Sequence, residues 1–414
     1  MGDYYAELAR LKRRGYQAEV VVVGASEITF DVDQNKVVTP SYTSSTTYNL
    51  RVIKDHRVGQ SSSPHFNNAL VEHAVQMALL SQRDKNMALP SVPSTGASVV
   101  NLEFKLNDSL DSLRQQMIDL AVDTPEWDLA GAKLKAGNYS KKVVSTEGVD
   151  IGERRSALSM EMGIYTHSST GEPMPDVWDG GSSTAMNIDI NGIKASIERK
   201  MAALNGRVKN DRKYDEVVLT AYSAGQLLSA LVEPAFTGGN LYWKSTPLRP
   251  GMKIGNADIS ILDDPEVKYS VDSRTFDLEG QRRRPITMLR DGKVESFLYD
   301  TYWARKAGAK GTASSGGAAN IVVSSKEEKD VTQDALVVDY IQGVNSADPT
   351  TGKFSVNAGI AWRPSRGGTV GVRDVIISGD LVSLLRGIQS MSTKKKSTDG
   401  VVVGDIRVRG LSVG

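Results

Sequence analysis

Between Glu153 and Thr166 the sequence ERRSALSMEMGIYT places Leu158, Met160, Met162 and Ile164 on every second residue. A period of two lines all four side chains along one face of a pleated strand, so the segment predicts a half-buried strand in a sheet covered on that side. The spacing changes to helical elsewhere. Phe66, Leu70, Ala74 and Met77 recur at 3.6-residue spacing, as do Leu110, Leu113, Met117 and Leu120. Ile193, Ile197, Met201 and Leu204 mark another helix, with Asn205-Gly206 as its stop signal. Strand-like runs, AEVVVVGASEITFDVDQNKVV and TTYNLRVI, follow an amphipathic opening helix. LPSVPSTGAS reads as a linker, and SSTGEPMPDVWDGGSST as a long exposed loop.

From Asp215 onward short strands with turn signals dominate. The best hairpin is ITMLRDGKVESFLYD, turned at Asp291-Gly292 as a type I′ pair. DPTTGKFSVNAGIAW, GTVGVRDVIISG and DIRVRGLSVG read as strands, and DLVSLLRGIQSM as a late helix. The fold class is therefore α+β. Residues 1–90 and 91–213 are expected to be two α+β subdomains, each a strand-helix unit, and 214–414 a mainly antiparallel β-rich domain with a few helices. A chain of 414 residues also exceeds what one core usually serves.

Composition excludes several functions. Fifty basic residues face 49 acidic ones, a net charge of +1 that gives no electrostatic case for nucleic acid or a membrane surface. The short runs Arg282–Arg284 and Lys394–Lys396 read as solvated loop or edge residues. With no cysteine there is no disulfide, thiolate metal site or cysteine nucleophile. The N-terminal stretch lacks a signal-peptide core and no apolar run could span a bilayer, which makes a cytoplasmic location the expectation. The histidines, His56, His65, His73 and His167, include no pair spaced as in HExxH. There is no GxSxG, P-loop or GxGxxG. Asp263, Asp264, Asp277 and Glu279 lie near Arg274 and Arg282 in sequence and read first as ion pairs.

One helix is notable for what it lacks. AYSAGQLLSALVEPAF, residues 221–236, has Ala224, Leu227, Leu228, Leu231 and Val232 at helical spacing, is expected to stop at Pro234, and carries Glu233 as its only charge.

An ordered series of C-terminal segments explains this. GGNLYWKSTPL, ISILDDP, SRTFDLEGQRRRPITMLRDGKVESFLYDTYWARKAG, DPTTGKFSVNAGI, DVIISGDLVSLLRGI and the closing RVRGLSVG together resemble the TldD/PmbA (TldD/TldE) peptidase family, once called modulators of DNA gyrase. NKVV, HRVGQSSS and VVSTEGVDIGERRSALSMEM are similar more loosely. In the catalytic TldD type, the resemblance implies, the helix before the GG loop carries HExxxH, two metal-binding histidines and a general-base glutamate, with a cysteine ligand farther on. Here those positions fall at about Gly225, Gln226 and Ala230. No metal is therefore expected in this chain, and zinc or another divalent ion only in a TldD-type partner.

The resemblance implies a PmbA/TldE-like, non-catalytic subunit that completes a chamber in which short unfolded peptides are degraded, dimerising through its C-terminal domain as a homodimer or heterodimer. An extended peptide would be held by strand addition, with GGN and SSGGAAN allowing close backbone approach. Candidate peptide contacts are Glu233, Tyr242, Trp243, Lys244, Arg274, Asp277 and Arg305. The structural alternatives are a helix-end role for Glu233, a core aromatic strand for Tyr242 and Trp243, and mutual pairing of Arg274, Asp277 and Arg305. Two other functions stand beside this one. One is a self-associating peptide-binding or structural protein with no protease partner. The other is independent hydrolysis through Asp277, Glu279 or a metal at His65 and His73.

Overall fold

The computed structural model describes residues 3–33, 36–37, 40–91, 94–100, 108–122, 128–167, 174–185, 187–329, 331, 334–366 and 368–414. Among them eight helices are found: α1 (Tyr4–Arg13), α2 (Asn68–Leu80), α3 (Asp108–Val122), α4 (Ile190–Leu204), α5 (Ala221–Ala235), α6 (Gly238–Trp243), α7 (Thr301–Ala307) and α8 (Leu381–Gly387). The fold is α+β, built on two large sheets.

Eight of the described strands form the first sheet. Its spine is three long antiparallel strands, Gln17–Asp33, Asp128–Ser145 and Val149–Tyr165, with Glu19 opposite Ser145 and Leu134 opposite Met160. The segments 1–90 and 91–213 thus contribute to one sheet. Leu158, Met160, Met162 and Ile164 are buried, as their alternation requires, beneath α3 and α4. The other end of the same face is covered by α1 and α2, capped by Asp3 and Asn67, whose Leu8, Leu11, Leu70 and Ala74 pack on Val20, Leu50 and Val52.

Thirteen described strands form the second sheet, mostly antiparallel with three parallel pairings. Helices α5 and α8 pack on it and supply Leu227, Leu228, Leu231, Leu384 and Leu385 to the largest core. Helix α4 joins the sheets: Ile193 and Ile197 share a core with Met160 from one sheet and with Val218, Val337 and Trp362 from the other. At that junction the buried Lys200 ammonium lies 2.8 Å from Asp179 and 3.5 Å from Asp339, one carboxylate on each sheet.

Several sequence expectations need correction. The stretch expected to be an exposed loop contains a strand, Val177–Ser183, because it finds an antiparallel partner in residues 158–164; residues 168–173 lie outside the described set. The second half of the expected linker, from Ser94, belongs to a strand, Ser94–Val100, that pairs in parallel with Val149–Arg155. Helix α5 passes through Pro234 to Ala235, since a proline in the last turn forfeits only one backbone hydrogen bond. Helix α8 ends at Gly387, and from Ile388 the backbone pairs with Val401–Arg409 instead. The Asp291-Gly292 turn forms with φ of 47° and 70°, as a type I′ turn needs.

Candidate functional site

Helix α5 is set firmly in place. Thr220 caps it and the Asp405 carboxylate accepts a hydrogen bond from the Ala221 N–H at 2.8 Å. Gly225 is buried against the Ile388–Thr398 strand so closely that a Cβ there would sit 2.7 Å from Thr398 Cβ. The Gln226 Oε1 accepts from the Ile341 N–H at 3.5 Å, and Ala230 is half-buried. A hydrogen atom, an amide and a methyl group do not fit a hydrolytic metal, which needs imidazole or carboxylate donors. Among the described residues no three His, Asp or Glu side chains converge on one point. His65 and His73 are both exposed, and His167 pairs with Asp128 at 2.6 Å.

The glutamate at the end of this helix is engaged internally. Glu233 Oε1 accepts from the Ala318 N–H at 3.4 Å, and Gly317 (φ +89°) passes so near that a Cβ on it would lie 2.1 Å from that oxygen. Burial raises the Glu233 pKa, with the Arg283 and Arg274 guanidinium groups opposing the rise. Arg283 pairs with buried Asp263 at 3.4 Å and donates to the Gly317 carbonyl at 2.6 Å. The glycine-rich loop therefore approaches a side chain of its own molecule.

Asp277, Arg274 and Arg305 are not paired with one another. Asp277 is buried and accepts from the backbone N–H groups of Glu279, Gln281 and Ser315, while burial pushes its pKa up to about 6. Neighbouring Glu279 reaches into the first sheet, where Arg51 bridges it at 3.1 Å and Glu19 at 3.0 Å. Burial drives Glu19 up to about 7 despite Arg51, and repulsion from Glu279 and Asp277 adds to the rise. Arg305 Nη2 donates to the Leu89 carbonyl at 3.3 Å, tying α7 to the N-terminal half.

Tyr242 and Trp243 do not lie in a core strand. They end helix α6, which starts at a Thr237 cap and stops where Lys244 adopts a left-handed conformation (φ 58°). The two glycines that open α6 let it close on α7 and the residues before it: a Cβ at Gly239 would meet the Trp303 ring at 2.9 Å, and one at Gly238 the Tyr299 ring at 2.1 Å. Tyr242 is 41% and Trp243 62% exposed. With Tyr302 and Trp303 of α7 they surround the Lys306 ammonium, which sits 4.9–5.4 Å from the four ring centroids. Lys306 and the Tyr302 hydroxyl both contact Asp84, at 3.6 and 2.9 Å, so the aromatic cluster also latches the two halves together.

Sequence reasoning missed a cleft between the halves. Its floor is the face of the first sheet opposite the helices, and its rim is the 271–274 loop of the C-terminal half, enclosing about 380 Å³. Lys141, Glu153 and Arg155 project into it with side chains only 13%, 4% and 9% exposed. Glu153 takes Arg155 Nη2 at 2.9 Å, Lys141 Nζ at 3.3 Å and the Thr275 hydroxyl at 2.8 Å. Burial alone would raise the Glu153 pKa, but Lys141 and Arg155 hold it below the ordinary carboxylate range. Burial lowers both cations' pKa values, and Arg274 on the rim adds repulsion to each. Arg274 itself reaches a carboxylate, Asp272, only at 3.7 Å. One sequence signal pointed here. Val149 and Ile151 start an odd-numbered buried series that Glu153 and Arg155 continue, opposite in parity to Leu158–Ile164.

Residues 211–414 match the family model described as the PmbA/TldA metallopeptidase C-terminal domain, and residues 18–79 that described as PmbA/TldA metallopeptidase domain 1. The chain is similar to an uncharacterized protein of Methanocaldococcus jannaschii, at 25% identity over 401 residues and 91% of each chain. It is 23% identical over 436 residues to the metalloprotease PmbA of Escherichia coli O157:H7, covering 97% of this chain and 92% of that one. Its fold is shared by the crystal structure of TldE from Thermococcus kodakarensis, with a TM-score of 0.87 at 22% identity over the whole of both chains. A putative modulator of a DNA gyrase from Thermotoga maritima superimposes with a TM-score of 0.83 at 18% identity over 99% of each chain.

Proposed function

Because the chain belongs to the PmbA/TldD metallopeptidase family, we propose that it is the TldE/PmbA-like, non-catalytic subunit of a TldD/TldE-type metallopeptidase acting on short unfolded peptides. The observation that carries this reading is α5. Gly225, Gln226 and Ala230 occupy the positions that the family resemblance gives to metal ligands and a base, and Gly225 is closed off by Thr398. In this reading the partner performs the chemistry in the cytoplasm, association runs through the C-terminal domain, and this chain binds and orients the peptide. Arg274 on the cleft rim and exposed Tyr242, Trp243 and Lys244 are the contacts available to a peptide. Glu233, Asp277 and Arg305 act behind them, fixing the 315–318 loop, the 277–281 turn and α7.

The test is cleavage of a short unstructured peptide by this chain, by a TldD-type homologue, and by their mixture, each with and without a chelator. The expected result is chelator-sensitive cleavage that is far faster in the mixture. Cleavage by this chain alone would point to a catalytic site of its own. No gain on mixing, with the homologue folded and metal-loaded, would favour a peptide-binding protein without a protease partner.

A further inference from the structure

The charge in the cleft between the halves is not balanced. Of the charged side chains that line it, Lys141, Arg155 and Arg274 face the single carboxylate of Glu153, with Asp272 3.7 Å from Arg274 and Glu233 in electrostatic reach of it from behind, and the Lys135 ammonium on the same floor is matched by Glu27 at 2.7 Å. Glu153 is saturated: beside its two cations it accepts from both the Thr275 N–H and the Thr275 hydroxyl. Two of the three cations are nearly buried and share the one Glu153 carboxylate, their remaining contacts being neutral carbonyls, Phe276 for Lys141 at 3.0 Å and Val271 for Arg155 at 3.1 Å, so the second positive charge has no carboxylate of its own. Arg274 is the exception, 39% exposed at its side chain and weakly held by Asp272. Its guanidinium is a planar fork suited to taking a carboxylate in two parallel hydrogen bonds. Ser159 and Ser182 add hydroxyls to the lining, and the volume of about 380 Å³ is within the range of small-ligand pockets.

We propose that this cleft is a carboxylate-binding subsite, in which Arg274, backed by Lys141 and Arg155, holds a carboxylate of the bound peptide. The proposal rests on the peptide-binding reading above and adds to it the group that is recognised. The carboxylate can come from the peptide C-terminus or from an Asp or Glu side chain. Both place one negative charge beside the excess positive one, and both leave the rest of the peptide to extend out of the cleft.

Titration calorimetry on the full chain, at low and at physiological salt, separates these sources. The probes are one short unstructured peptide in four forms, with the C-terminus free or amidated and with a single Glu present or replaced by Gln, together with N-acetylglycine as a bare carboxylate. Removing the carboxylate that binds is expected to weaken affinity roughly tenfold, the scale of one charge-assisted contact, with the larger loss at low salt. The form of peptide that loses affinity identifies the source. Arg274→Gln is expected to abolish that difference and leave the carboxylate-free peptide unchanged, and Arg274→Lys to restore part of it. Arg274 sits on a half-exposed loop, so neither variant threatens folding. Four peptide forms bound with equal affinity would overturn the subsite while leaving peptide binding intact. Arg274-dependent binding of N-acetylglycine without any peptide binding would keep the subsite and overturn the peptide reading. Equal weakening of all probes by Arg274→Gln would also overturn the proposal, since it would mark a structural role.

Discussion

Helix α5 and the interdomain cleft are both deeply packed, yet they are built from opposite materials. Around α5 the contacts are leucines, a glycine closed on Thr398, and hydrogen bonds that tie the helix to its own fold, and Gly225, Gln226 and Ala230 bring no charge to the place where the family resemblance puts a metal. In the cleft, Lys141, Glu153 and Arg155 are nearly as buried but charged, and the charge is in excess. Burying apolar groups stabilises a fold, whereas burying ions costs free energy that hydrophobic side chains of the same size would avoid. The contrast locates function by expense: the inexpensive region has been given over to stability, and the costly one is kept for a ligand.

The sharpest way to break this comparison is to remove the anion that holds the cleft together. Glu153→Ala leaves Lys141 and Arg155 facing each other without a counter-charge, and we expect about 3–5 kcal/mol of lost stability in urea unfolding. A loss under 1 kcal/mol would show that the cleft is wetter than its geometry implies. Next in size is the pH response of Glu19. Its pKa is about 7 in the fold against an ordinary 4.5, so the native state retains a proton that the unfolded chain releases. Its contribution is full below about pH 4.5 and declines as pH rises to 7, by on the order of 3 kcal/mol. Measured from pH 4 to 8, the stability of Glu19→Gln relative to wild type should rise across that window. A difference that does not vary with pH would contradict the burial argument. A smaller effect is expected on the neutral side. Gly225→His must displace Thr398 and should cost about 1–3 kcal/mol without creating tight zinc binding, because Gln226 and Ala230 still supply neither imidazole nor carboxylate. Smallest of all, Trp243→Ala should change stability by no more than about 1 kcal/mol, since most of the ring faces solvent, while lowering peptide affinity in the same calorimetric titration.

The comparison also explains what was legible in the sequence. Local signals worked wherever one side chain period or one turn decides the structure. The alternation of Leu158 to Ile164, the stop at Asn205-Gly206 and the turn at Asp291-Gly292 all appear as expected. Signals failed where a distant segment decides. Val177–Ser183 and Ser94–Val100 carry turn-like compositions and become strands only because the Val149–Tyr165 strand offers them free edges. Trp243 and Tyr242 resemble a strand pair, but Thr237, two close-packed glycines and a left-handed Lys244 make the segment a single helical turn and a half with the rings outward. The residue types of α5 could be read directly, since Gly225, Gln226 and Ala230 stand in the sequence itself. The cleft could not, because Lys141, Glu153 and Arg155 meet Arg274 only when the two sheets are docked. The change from odd-numbered apolar residues, Val149 and Ile151, to even-numbered ones, Leu158 to Ile164, was its trace in the sequence.

The most direct test of the account is steady-state cleavage by the reconstituted pair, with a carboxylate-bearing peptide and with either the wild-type chain or Arg274→Gln supplied to the same TldD-type subunit. If this chain binds substrate and its partner carries out the reaction, the variant should raise KM about tenfold and leave kcat unchanged, as loss of a contact made equally in ground and transition states requires. A fall in kcat with KM unchanged would place Arg274 in the reacting centre and contradict the division of labour between the two subunits.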